Sequence, residues 1–191
     1  MDVLKLIIDQ LNNPETLKKL GQTVGADPSQ VQKVTQLGVP ALLQALGNNA
    51  GNSDKANALA NALDQHKDDD VEDIDGFLNK VNTNEGAKML QHIFAGKNNS
   101  VQNKLASQSG LDSGQVTGLM SQLAPLLLGA LGQQKKQQNL DASGLSGLLS
   151  GLLGSGGKNG LMGMVTNLLD SDDDGRIIDD VGDLLKGFMK K

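Results

Sequence analysis

The stretch DSDDDGRIIDD, residues 170–180, gathers six aspartates beside one glycine. Carboxylates at every second position converge on one point when the chain turns sharply, and a hard dication takes roughly six to eight such oxygens. Asp170, Asp172 and Asp174 take positions one, three and five of a calcium-type loop. Gly175 takes position six and Ile177 position eight, as the EF-hand template requires. Arg176, at position seven, would contribute its backbone carbonyl. Position twelve departs from the template: Val181 stands where a bidentate Glu is expected. Asp180, or its neighbour Asp179, would supply the last carboxylate in a shortened loop. The expected metal set is therefore Asp170, Asp172, Asp174, Arg176 and Asp180, holding calcium, with magnesium as the alternative. The competing reading is an acidic turn that caps the last helix. A single unpaired loop suits a structural clip better than a sensor.

No other constellation carries comparable chemistry. The acidic run HKDDDVEDIDG, residues 66–76, lacks the one-three-five-glycine spacing and reads as a capped helix start with a solvated face. His66 opens that run and is expected to be exposed, whereas His92, in KMLQHIFAG, is expected to pack beside an apolar face. There is no cysteine, so thiolate sites and disulfides are excluded. GSGGKNG lacks the ending of a phosphate loop, and no G-x-S-x-G elbow occurs. The expectation is a protein without catalytic residues, organic cofactor or small-molecule substrate.

The elements that must position the acidic loop are helical. The chain has three Phe and no Trp or Tyr, so Leu, Ala, Val, Ile and Met must fill its core, and no segment alternates as a strand would. Two segments, residues 20–47 and 105–132, align without a gap and share eleven of 28 positions, where unrelated sequences would share about two. Gly25 and Gly110 suit a left-handed helix end. Asp27 and Asp112 follow as N-caps, with Gln30 and Gln115 completing capping boxes. Pro40 and Pro125 are expected to begin or kink a further apolar helix that ends at Gly47 and Gly132. The fold class is all-α: a helical bundle with an internal duplication of a helix-turn-helix-proline-helix unit. Three regions follow: a duplicated helical domain over residues 1–140, a Gly/Ser/Leu-rich segment over 141–160, and a helix-loop-helix over 161–191. QQKKQQNLDAS, which follows the second unit, reads as an exposed polar stretch.

Charge and composition narrow the partners. Net charge is −5 and Arg176 is the lone arginine, which argues against nucleic acid. The Gly25 hairpin nevertheless has the outline of a DNA-binding helix-turn-helix, presenting Ser29, Gln30, Lys33 and Gln36 in one unit and Ser113, Gly114, Thr117 and Ser121 in the other. Residues 144–154 set Leu145, Leu148, Leu149, Leu152 and Leu153 opposite glycines, which suits a core helix first and a membrane-surface segment second, since a basic face is missing. The N-terminus has no signal-peptide pattern, and no apolar run reaches membrane-spanning length. A cytoplasmic protein acting through a protein partner, or as a structural accessory, is the expectation.

The repeated G-x-D-x-x-Q-V turn, the P-x-L-L-x-A-L-G segments, MLQHIFAG and the terminal LLDSDDDGRIIDDV resemble the bacterial domain-of-unknown-function 937 family, which is YidB-like. The resemblance covers most of the chain. It implies an all-helical domain and, in the tail, a D-x-D-x-D-G pattern followed by two Asp, which this chain keeps. It implies no activity.

Overall fold

The computed structural model describes residues 3–155, with side-chain surroundings for residues 6–152. Every regular element in that range is a helix. In order these are α1 (Val3–Leu11), α2 (Pro14–Val24), α3 (Pro28–Ala50), α4 (Ser53–His66), α5 (Ile74–Lys80), α6 (Thr83–Ile93), α7 (Asn98–Ser109), α8 (Ser113–Gln138) and α9 (Ala142–Ser155). The starts follow from short polar side chains that satisfy otherwise unpaired N–H groups. Asn13 accepts from Glu15 N at 2.9 Å, Asn52 from Asp54 N at 3.1 Å and Asn82 from Asn84 N at 3.1 Å. Pro14 and Pro28 sit at first helical positions, where no N–H is missed.

The helix α8 is the axis of the bundle. Residues 119–132 are buried without interruption, the signature of a helix wrapped on all sides. α6 packs most extensively against it, and α1, α2, α3, α4 and α7 complete the sheath. α9 lies on α3 and α4. Two glycines let backbones close in. A Cβ on Gly86 of α6 would collide with the carbonyl oxygen of Ser121, and one on Gly132 of α8 would collide with the carbonyl oxygen of Leu63.

Of the two readings of the prolines, a helix start or a kink, the structure does not have the first. Neither starts a new helix: α3 runs unbroken through Pro40 and α8 through Pro125. They extend past Gly47 and Gly132, to Ala50 and Gln138. An interior proline removes the donor for the carbonyl four residues earlier and costs about 3 kcal/mol in an isolated helix. Around Pro125, burial on all sides offsets that cost. The carbonyl that Pro125 leaves without its helical donor is that of Ser121, and it faces a Cα–H of Gly86. The stretch after Gly132 is also not simply exposed. Gln134 is buried, and Gln133 donates to the Asp69 carbonyl at 2.6 Å.

The two aligned segments share local devices. Gly25 (φ 67°) and Gly110 (φ 77°) end α2 and α7 in the left-handed region that only glycine enters at little cost. Asp27 N donates to Gln30 Oε1 at 3.2 Å, and Asp112 N donates to Gln115 Oε1 at 3.1 Å. Each glutamine then reaches across to the other hairpin. Gln30 Nε2 donates to the Gly110 carbonyl at 3.0 Å, and Gln115 Nε2 donates to those of Val24 and Gly25 at 3.1 and 3.0 Å. Each cap residue thus also fastens the opposite turn.

Two glycine substitutions should move stability in opposite directions. Gly86→Ala forces its methyl into the Ser121 carbonyl and should destabilise by about 2 kcal/mol, as overpacking of a rigid contact does. Gly147→Ala on α9 meets nothing within 4 Å and should stabilise by about 0.5 to 1 kcal/mol through backbone entropy alone. Urea denaturation of both variants beside the wild type measures this. Equal effects would contradict the packing described.

Candidate functional site

Two concavities lie on opposite faces of the chemistry. The first, about 440 Å³, is acidic. It forms where α4 ends at His66 and the chain passes through an aspartate-rich turn into α5 and α6. Its walls include Asp68, Asp69, Asp70, Asp73 and Glu85, with Phe77 and Pro125 supplying apolar surface.

The carboxylates around it are mostly committed to structural bonds. Asp69 Oδ2 lies 2.8 Å from His66 Nδ1. Asp73 Oδ1 accepts from Gly76 N at 2.9 Å and starts α5. Asp68 Oδ1 accepts from Lys136 Nζ at 2.6 Å. That hydrogen bond, with the charges of Lys136 and Lys67 behind it, holds the Asp68 carboxyl below the usual carboxylate range. Just outside, Lys135 Nζ meets Asp64 at 2.5 Å and Lys19 Nζ meets Asp75 at 3.1 Å. The turn is thereby pinned to α8 on one side and α2 on the other. Among the described residues, no group of three or more His, Asp or Glu is arranged to hold a metal ion. The run 66–76 is, as the spacing suggested, a capped helix start.

The second concavity, about 510 Å³, is largely apolar. Leu46 of α3, Leu59 of α4, Ile93 of α6 and Leu128 of α8 form its floor, while Ala58, Ala62 and Met89 form its walls. Lys55 and His92 stand on its rim, and no carboxylate lines it. Asn49 Nδ2 donates to the Ile93 carbonyl at 3.0 Å, tying α3 to the end of α6 and fixing one end of the groove. Beyond Ile93 the chain leaves the helix through Ala95 (φ 50°) and Gly96 (φ 89°). Apart from the segment around His92, these residues carry no motif in the sequence. Ala58 and Ala62 are four apart on one helix, but their partners come from three other helices, so no local pattern marks the groove.

The residues expected to do chemistry fall elsewhere. Asp170, Asp172, Asp174, Arg176 and Asp180 lie outside the described residues. His92 is exposed on the groove rim rather than packed, because its neighbours Leu90 and Ile93 take the inward face of α6. His66 is mostly buried rather than exposed, since the turn folds back over it and Asp69 bonds its ring. Of the hairpin residues proposed to face out, Ser29, Lys33 and Gln36 are exposed, but Ser121 is buried in the α6 contact and Gln30 is engaged by Gly110.

In the leucine-rich segment, Leu145 and Leu149 are fully buried, with Leu148 and Leu152 packed partly against the core. Gly147 and Gly151 face open space, so they mediate no close helix approach. That is a core helix with a small-residue outer face. Among the described residues no helix is long and apolar enough to cross a membrane.

Fold and surface together define an all-α bundle wrapped around one buried helix and carrying an apolar groove. The chain belongs to the family of bacterial proteins of unknown function DUF937, which it matches over residues 6–134. That span runs from α1 to the last turns of α8 and leaves α9 and the acidic tail outside it. No match was found among curated proteins, and none among solved structures.

The attachment of α9 depends on one carboxylate. Asp141 Oδ1 accepts from Gly144 N at 2.8 Å and from the Ser143 hydroxyl at 2.7 Å. Those bonds, the backbone one foremost, hold its carboxyl below the usual range. A lowered folded-state value means stabilisation that is complete above the ordinary carboxylate range and fades as pH falls through and below it. Asp141→Ala should therefore lower the urea midpoint at neutral pH, and the gap from wild type should shrink steadily on acidification. A gap independent of pH would show that the carboxylate charge is not what holds the helix start.

Proposed function

We propose that this chain is a non-enzymatic helical protein of the bacterial cytoplasm that binds one calcium ion in the loop at residues 170–180 and acts through a protein partner or as a structural accessory. The observation that carries the reading is the spacing of Asp170, Asp172 and Asp174 before Gly175. Unit charges about 4 Å apart repel by about 1 kcal/mol even in bulk water, and by several times that at a protein surface. A bound dication removes this repulsion. Asp180 and the Arg176 carbonyl complete the oxygen set, and the absent position-twelve Glu favours weak binding with magnesium as competitor.

The groove supports the interaction half of the reading. It has an apolar floor with a polar rim, the anatomy of surfaces that receive another chain. Three carboxylates of the other concavity are engaged, Asp68 with Lys136, Asp73 at the start of α5 and Asp69 with His66, which supports a structural role for them.

Calorimetric titration of calcium, then magnesium, into chelator-stripped protein tests the metal site. One equivalent should bind saturably, and Asp170→Ala should abolish the heat. Calcium should also slow proteolysis of the C-terminal region in the wild type and not in the variant. No heat from either ion would reduce the acidic stretch to a helix cap.

A further inference from the structure

We propose that the apolar groove between α4 and α6 is covered by the chain's own residues 161–169, LMGMVTNLL. This deepens the interaction reading above, because a partner that used the groove would first have to displace this segment. Three observations carry it.

Chemistry comes first. Leu46, Leu59, Ile93 and Leu128 leave an apolar floor between the walls of α4 and α6. Leu161, Met164, Val165 and Leu168 fall at helical spacing, the stripe that fits such a floor. Charge is second. In a chain of net charge −5 the groove has no carboxylate in its lining, and Lys55 and His92 stand on its rim. The proposed occupant carries no cation and is followed at once by Asp170, Asp172, Asp173 and Asp174. The acidic concavity beside α5 would repel the same segment. Reach is third. α9 ends at Ser155 and packs on α4, the helix that also forms one wall of the groove. Residues 156–160, GGKNG, lie between. Six residue steps, from Ser155 to Leu161, extend to about 20 Å.

The cysteine-free sequence allows a direct test in the full chain. Ala58→Cys on the groove wall is combined with Val165→Cys and oxidised under chelator. Ser29→Cys, at the far end of α3, replaces the groove cysteine in a control pair. The groove pair should form an intramolecular disulfide about tenfold faster than the control, as docking raises effective concentration above that of a free tether. Adding Ala62→Glu, which sets a carboxylate in the groove, should bring the rate back towards the control. Equal rates for the two pairs would overturn the proposal. A disulfide formed only between two molecules would also overturn it, assigning the groove to a second copy. Because chelator is present throughout, failure here is separate from failure of calcium binding.

Discussion

Everything described rests on burying α8 on all its sides. Residues 119–132 are all buried, so the chain has to supply a sheath around them, and six helices do so. Such burial replaces many separate preferences with one requirement of shape. It tolerates Pro125, whose lost hydrogen bond would break an exposed helix, because neighbouring helices hold both halves in place. It also dictates where glycine must stand. Gly86 and Gly132 sit where a neighbouring carbonyl comes too close for any side chain.

The same requirement explains the polar bonds between the hairpins. The α2–α3 and α7–α8 turns meet beside the start of α8. Their carbonyls take donors there from across the junction. Gln30 and Gln115 supply them, each from the capping position of the opposite unit. One residue type at one offset after the turn does two jobs: it closes its own helix start and satisfies a neighbour's helix end.

Charge is distributed by the same logic. The aspartates between α4 and α5 look like a ligand cluster in one dimension, but they are divided among helix starts and lysines on α2 and α8. Their pairing helps fix a turn that Val71 and Ile74 in the core and the Gln133 bond to the Asp69 carbonyl also hold. Acid concentrated there leaves the α4–α6 groove free of carboxylates. Among the described residues, the concavity beside α5 is negative, whereas the α4–α6 groove is apolar with Lys55 on its rim and has the character of a docking surface.

The sequence by itself determined the helical class, the capped turns at Gly25 and Gly110, the capped reading of residues 66–76 and the core character of Leu145 and Leu149. Each is a local matter of periodicity, backbone angle or a side chain within four residues, which a linear pattern records. Tertiary structure decided the rest. Pro40 and Pro125 read as helix starts or kinks because local rules weigh the lost hydrogen bond but not the packing around it, and the structure carries both helices through. Gln134 read as exposed and His92 as packed because polarity and adjacency do not reveal which side of a helix faces neighbours. The apolar groove was invisible because Leu46, Ala58, Met89 and Leu128 come from four helices, and long-range packing alone places them side by side.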